Sequence, residues 1–385
     1  MGSRDFDRAK IPRGHTIHGM HEPEPLEFVG VNEVRLRGRK LLYFSGCDYL
    51  RLARDPRLVR EAGITLQKYG LSVAASRVTT GNHKIYLTLE SALAKFFASE
   101  TAVVVPDGYF APIVAAQALA RDYSHVFIDE FAHGALRDAA RMFDCTITPF
   151  KHKDAADLRR LIAQCGPASR PIVLTDGLFG HDGSVAPLRE YLTILPKNGL
   201  LLVDDAHGAG TIGATGKGSL EYEGVKRQRV VQCATLSKAF GAYGGVILGS
   251  SALRKRILER SRPFTGTTPL PLPLAGAALE ALKLLKREPD RRKRLKENQT
   301  HVRNALRAAG WEIADAPGPM IRLPAMKESL NAKLRARLLK AGIYPPFLKY
   351  GNTSSGGSFR FIISSEHTRA QLDKVIALLT DFRRL

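Results

Sequence analysis

One lysine between two apolar runs is the feature that most constrains this chain. Arg229-Val230-Val231-Gln232-Cys233-Ala234 reads as a buried strand, and Gly245-Val246-Ile247-Leu248-Gly249 reads as a second. The loop between them, Thr235-Leu236-Ser237-Lys238-Ala239-Phe240-Gly241-Ala242-Tyr243-Gly244, is built mostly of small residues and carries a single lysine. Such a lysine either snorkels to the surface or sits in a pocket where loss of water lowers its pKa. In a pocket it becomes a usable amine nucleophile for a carbonyl. Buried lysine is rare, so the loop alone leaves both readings open.

Upstream, Leu200-Leu201-Leu202-Val203 is a candidate parallel strand, and it runs into Asp204-Asp205-Ala206-His207-Gly208-Ala209-Gly210. Two carboxylates and an imidazole thus stand at the C-terminal end of a strand, where open α/β sheets place their ligands. An aspartate there can pair with a pyridinium nitrogen, and a lysine can hold an aldehyde. Together they match pyridoxal phosphate, whose ring draws electrons only while its nitrogen stays protonated.

With Gly213 and Gly216 following, and with Thr235-x-x-Lys238-x-x-Gly241 after a further strand, this constellation resembles the α-oxoamine synthases, a fold-type I group of pyridoxal phosphate enzymes. The resemblance spans roughly residues 40 to 380. It implies an α/β protein: a large domain over 51–280 with a mainly parallel central sheet, an N-terminal segment over 1–50, and a smaller C-terminal α+β domain over 281–385. The alternation of short strands and helices in the last hundred or so residues suits such a lobe.

The resemblance also implies roles. Lys238 anchors the cofactor and serves as base, Asp204 faces the pyridine nitrogen, and His207 bonds the ring oxygen. Gly108 and Tyr109 follow the run Thr101-Ala102-Val103-Val104-Val105 and precede a small-residue helix, a strand–glycine–helix unit that can cradle phosphate. His133, after His125-Val126-Phe127-Ile128-Asp129, stacks on the ring, and Thr235 completes the cofactor set. Thr267 and Thr268, in Phe264-Thr265-Gly266-Thr267-Thr268-Pro269, reach across a two-fold axis to a partner's cofactor phosphate, so a homodimer with its active site at the interface is expected. Arg360, in Phe359-Arg360-Phe361, binds the amino acid carboxylate with its planar donor fork, although strand alternation could equally put it on the surface.

Five positions depart from the family pattern, one of them Ser358, which stands where the family has the earlier arginine of the pair that Arg360 completes. Cys47 stands for asparagine in Phe44-Ser45-Gly46-Cys47-Asp48-Tyr49-Leu50, beside the substrate in family members. Tyr86 stands for histidine, and Gly180 and His181 stand for serine and methionine in Thr175-Asp176-Gly177-Leu178-Phe179-Gly180-His181-Asp182-Gly183. A hydroxyl contact to the cofactor ring is therefore missing or supplied by His181, while Asp182 is expected to shape the turn.

Composition narrows the partners. The 385 residues are 44% hydrophobic and 25% charged, an ordinary balance for a globular protein. The net charge of +21 favours an anionic partner such as a CoA nucleotide, an acyl carrier protein, a membrane surface or nucleic acid, although a generally basic surface accounts for it equally. Nucleic acid has no motif to support it. The four cysteines, Cys47, Cys145, Cys165 and Cys233, are too widely spaced to suggest a zinc site or disulfide framework, which fits a reducing cytoplasm, and no metal is expected. The first residues lack an apolar signal core, and no run of about 18 apolar residues offers a membrane span.

The expected activity is a C-acyltransfer joining an α-amino acid, L-alanine favoured, to an acyl-CoA or acyl carrier protein thioester with loss of carbon dioxide, as in 8-amino-7-oxononanoate synthase. A 2-amino-3-ketobutyrate CoA ligase, a serine palmitoyltransferase-like or secondary-metabolic member, and a catalytically idle scaffold subunit are the alternatives. An ordinary aminotransferase fits the Asp-Asp-Ala-His-Gly segment less well.

Overall fold

The structure is a computed structural model and describes residues 24–348 and 357–384. The expectation about the first residues, 1–23, lies outside the described residues.

A seven-stranded sheet forms the centre, in the order Thr101–Val105, Gly245–Gly249, Val230–Thr235, Leu200–Asp204, Pro171–Asp176, His125–Asp129, Thr146–Phe150. Only Gly245–Gly249 runs against its neighbours; the other contacts are parallel. The Pro171–Asp176 and Val230–Thr235 strands are buried along their whole length, which explains why they read as unbroken apolar runs instead of alternating ones. Helices cover both faces. Phe110–Leu119 packs its alanines against the Ile128, Leu174 and Val231 side of the sheet, and Phe179, Leu188 and Tyr191 fill the side of Phe127 and Val173.

A second core lies under the C-terminal residues. The three-stranded sheet Met320–Arg322, Ser358–Ile362, Phe347–Leu348 packs Phe359 and Phe361 with Leu334, Leu338, Leu372 and Leu379. Phe44 belongs to this core, and the N-terminal strands Glu27–Phe28, Glu33–Leu36 and Arg39–Tyr43 form a sheet joined by Ile343–Tyr344. The entry segment therefore folds onto the C-terminal lobe. This brings the turn after Phe44 towards the mouth of the central sheet.

Local signals place several helices well. Pro56–Tyr69 starts behind Asp55, whose carboxylate accepts from the Arg57 amide, and Arg369–Arg383 starts with a reciprocal Thr368–Gln371 capping box. In two stretches the local sequence pattern and the structure differ. Trp311-Glu312-Ile313 reads as a strand but pairs with none; its apolar residues instead plug the C-terminal core, each 6% exposed. The helix expected to continue from Leu272 through the basic run breaks at Glu288-Pro289, and a separate helix, Asp290–Ala308, carries most of that charge. Proline at that point lacks the amide a continuous helix needs.

Two buried acids knit the large sheet to its surroundings. Glu90 accepts from Arg77 and Arg254 and from the Val104 amide, so its charge is fully answered. Asp205, fully buried, accepts from the Ser219 amide at 2.8 Å and from Gln232 at 2.6 Å. A Cβ at Gly208 or Gly218 would collide with it, which ties both glycines to its placement. Burial pushes the Asp205 carboxyl up to about 7.

These environments predict stability effects. Glu90→Gln leaves the buried Arg77 uncompensated and lowers unfolding free energy by about 3 kcal/mol in urea titration. Asp205 holds its proton in the folded chain at pH values where the unfolded chain has released it, so its contribution to stability falls as pH rises from about 4 to about 7. Asp205→Asn removes that dependence. The wild type therefore loses a few kcal/mol relative to Asp205→Asn across this range, read as diverging unfolding midpoints.

Candidate active site

Five of the expected residues leave the sheet from the C-terminal ends of its co-directional strands: Gly108 after Val105, His133 after Asp129, Asp204 and His207 from Leu200–Asp204, and Lys238 after Thr235. Strand ends that are neighbours in the sheet hold residues far apart in sequence within reach of one another. Lys238 Nζ lies 2.9 Å from His207 Nε2, and the Tyr49 hydroxyl lies 2.6 Å from His207 Nδ1. Both nitrogens of the imidazole are thus engaged. Tyr49 is wholly buried and arrives on the entry segment that also carries Cys47.

The electrostatics follow from this packing. Burial lowers the Lys238 ammonium pKa, opposed by nearby Cys47 and Asp204, so the neutral amine is more accessible than in water. Burial also pushes His207 well down, and the adjacent Lys238 and Arg360 charges add to the effect. The imidazole is neutral at ordinary pH. The loop bearing the lysine is held by Gly241, at φ 61°, where a Cβ would meet the Ala53 amide nitrogen at 2.3 Å. Only glycine permits that approach of loop to entry segment.

Asp204 and Asp176 are register partners on adjacent strands. Burial, reinforced by the Asp204 charge, drives the Asp176 carboxyl well above the usual range, and one of its oxygens accepts from the His133 amide at 2.8 Å. Asp204 spends one oxygen on the Ala206 amide, 3.0 Å away. Asp205, by contrast, turns away into the Ser219 and Gln232 contacts and takes no part in the cluster.

Gly108 lies against Thr235: a Cβ there would sit 2.5 Å from the threonine Cβ. Thr235 donates to the Gly244 carbonyl and accepts from the Ser237 amide, so it braces the start of the lysine loop. Tyr109 is the N-cap of Phe110–Leu119 and offers no side-chain acceptor to that helix, although Asp107 takes the Phe110 amide. Its hydroxyl donates to Asp138, and its ring meets His133 edge-on at 6.0 Å. Burial, with help from Asp138, pushes the Tyr109 hydroxyl up to about 12. His133 accepts the Ala135 amide at Nδ1 and is held below its ordinary pKa by burial, so it too is a neutral ring.

Arg360 sits between the fully covered Phe359 and Phe361, which puts its side chain on the opposite face of the strand. It donates to the Gly180 carbonyl at 2.6 Å and lies near enough to Lys238 and His207 to affect both. Strand alternation here points it inward. Gly180 is required by the imidazole: a Cβ would approach His207 Nε2 to 2.4 Å. His181 packs among Phe131, His152 and Phe179. Asp182 accepts from the Ser184 amide, which shapes the turn. Tyr86 is buried and donates to the Leu270 carbonyl at 2.6 Å. It thereby anchors the stretch that bears Thr267 and Thr268, which the single chain leaves outside the Lys238 cluster; Thr267 donates only to the Thr268 carbonyl among the bonds of the described residues.

Two residues of the cluster were not singled out from the sequence. Tyr49 stands two positions from Cys47 in a segment read for its asparagine replacement. Asp176 ends an apolar run just as Asp204 does, and that shared pattern was the available signal. Taken together, an amine with lowered pKa, a neutral imidazole, a strand-end carboxylate and a helix start whose N-cap residue, Tyr109, offers no side-chain acceptor fit a ligand having a carbonyl, a basic ring nitrogen and an anionic tail.

Known proteins agree with this arrangement. The family model for aminotransferase class I and II matches residues 42–379. A putative 8-amino-7-oxononanoate synthase of Desulforudis audaxviator is 36% identical over 353 residues, covering 91% of each chain. The 8-amino-7-oxononanoate synthase of Lysinibacillus sphaericus is 33% identical over 348 residues, 90% of each. Among solved structures, the serine palmitoyltransferase of Sphingomonas wittichii superposes with a TM-score of 0.88 at 25% identity, covering 95% of this chain and 94% of that one. The match runs along nearly the whole length of this chain and of these proteins, and the chain belongs to the class I and II aminotransferase family, on its α-oxoamine synthase branch.

Proposed function

We propose that this protein is a pyridoxal phosphate-dependent C-acyltransferase that condenses an α-amino acid, L-alanine by preference, with an acyl thioester of CoA or acyl carrier protein, in the manner of 8-amino-7-oxononanoate synthase. The observation that carries the reading is the 2.9 Å approach of Lys238 Nζ to His207 Nε2 beside Asp204. Bound there, the cofactor supplies an electron sink for the negative charge that develops at the amino acid Cα.

The residues divide the remaining work. Lys238 would hold the cofactor, and its Nζ would take up the Cα proton; burial lowers its pKa, which favours the neutral amine that a base needs. Asp204 keeps a proton on the ring nitrogen. His207 bonds the ring oxygen, with Tyr49 fixing the orientation of the imidazole from behind. His133 packs on the ring face, and the Gly108-Tyr109 helix start, with Thr235, receives the phosphate. Arg360 clamps the amino acid carboxylate, and Cys47 borders the substrate. The new bond forms between Cα and the thioester carbonyl carbon, the thiolate departs and takes up a proton, the bond to the carboxylate breaks to release carbon dioxide, and Cα is reprotonated by Lys238.

Thr267 and Thr268 fit this scheme as the phosphate contacts of a partner subunit, which makes a homodimer the working unit. All four cysteines are free, in keeping with a reducing cytoplasm, and among the described residues no helix is long and apolar enough to cross a membrane.

The decisive measurement incubates cofactor-loaded protein with L-alanine, glycine, L-serine or L-threonine and a panel of acyl thioesters, and quantifies free thiol and carbon dioxide. Equal release of both with L-alanine is expected; thiol release without carbon dioxide, or none with any amino acid, contradicts the proposal. Lys238→Ala abolishes turnover while the protein still binds cofactor. Arg360→Lys keeps the charge but loses the fork, and raises the amino acid KM by about 10- to 100-fold, the equivalent of about 1.5–3 kcal/mol of charge-assisted hydrogen bonding.

A further inference from the structure

A second cluster of chemistry-bearing side chains lies behind the turn that carries Gly180. His152 follows the Thr146–Phe150 strand, and its Nδ1 is 2.9 Å from Asp129 Oδ1. Asp129 is fully buried and immobile: its oxygens also accept from the Phe131 and Lys153 amides. Phe131 stacks on the His152 ring at 4.7 Å and Phe179 meets it edge-on at 4.5 Å. The ring is thus oriented from three sides, and the nitrogen it presents forward, Nε2, is buried with no hydrogen-bond partner among the described residues.

Facing it are His181 and Asp182. His181 Nε2 lies 3.5 Å from Asp182 Oδ2, and one ligand atom from each of His152, His181 and Asp182 falls within 4.8 Å of the others. Asp182 uses its other oxygen on the Ser184 amide, so Oδ2 is turned to the histidines. Two ligands at 2.0–2.1 Å from a tetrahedral ion stand about 3.3 Å apart, close to the observed pair. The His181 side chain is 24% exposed, which gives it room to close the rest. An imidazole whose far nitrogen is held by a buried carboxylate is the usual support of a metal-ligating histidine.

We propose that His152, His181 and Asp182 form a binding site for a borderline divalent cation, with zinc the best match to two imidazoles and one carboxylate, leaving a fourth position for water. Lys153 and Arg322 are the positive groups nearest His181, and Asp129 and Asp182 are the carboxylates that offset them. The site lies apart from the Lys238 cluster and does not depend on the reaction proposed above. It meets that cluster at the turn, where the Gly180 carbonyl receives Arg360, and His181 lies near enough to His207 to affect it.

Cofactor-loaded protein, stripped of metal by a chelator and desalted, is titrated with Zn²⁺ by calorimetry and with Co²⁺ by visible absorption to the red of the cofactor bands. Saturable binding of one ion per chain is expected, with tetrahedral cobalt bands. His181→Met and His152→Asn each weaken binding by at least about 10-fold. In the wild type, Zn²⁺ also slows modification of His152 and His181 by diethylpyrocarbonate, mapped by mass spectrometry, a readout that needs no variant to fold. Absence of saturable Zn²⁺ binding, undiminished binding in His181→Met, or no protection of the two histidines overturns the proposal.

Discussion

The ladder between Leu200–Asp204 and Val230–Thr235 is the contact on which the site depends. Parallel pairing places Asp204 opposite Cys233, and the two chain segments then leave the sheet side by side, one carrying His207 and the other Lys238. A slip of this register by one residue would turn every side chain of one strand to the other face and separate amine from imidazole. Val230–Thr235 is buried along its length and Leu200–Asp204 at all but its first residue, so a slip would force close-packed side chains on both faces to repack.

Around that ladder, polar groups are arranged by depth. Asp205 and Glu90 are consumed by amides, amides' side-chain equivalents and guanidiniums that belong to the scaffold, and their burial serves geometry. His207, His133 and Lys238 sit at the rim of the same sheet, where burial lowers their pKa values. Asp176 and Asp204 end adjacent strands as register partners. Asp176 is pushed well up by burial and by its neighbour's charge.

The C-terminal lobe closes the arrangement. Phe44, Phe359 and Phe361 share one core, so the entry segment bearing Cys47 and Tyr49 and the strand bearing Arg360 are positioned by the same apolar packing. Arg360 reaches the turn at Gly180, Tyr49 reaches His207, and the space at Gly180 is filled by the imidazole itself. Replacement of a serine by glycine at that position is thus a packing adjustment with an identifiable neighbour. Tyr86 likewise replaces a histidine and becomes a tie between a helix and the Leu270 backbone.

Much of the fold and the heart of the site were legible in the sequence. Unbroken apolar runs mark parallel strands because burial on both faces leaves no alternation, and Asp204, His207 and Lys238 stand at fixed short offsets from the ends of such runs. Gly108 and His133 stand at strand ends too, but there the family resemblance supplied the assignment. What only the tertiary structure decided involves residues distant in sequence. Tyr49 meets His207 because an N-terminal strand joins a C-terminal core, Trp311 and Ile313 plug that core without pairing, and His181 packs against His152. Local pattern encodes how a segment can be buried; which segment comes to lie against it is settled by the packing of the whole chain.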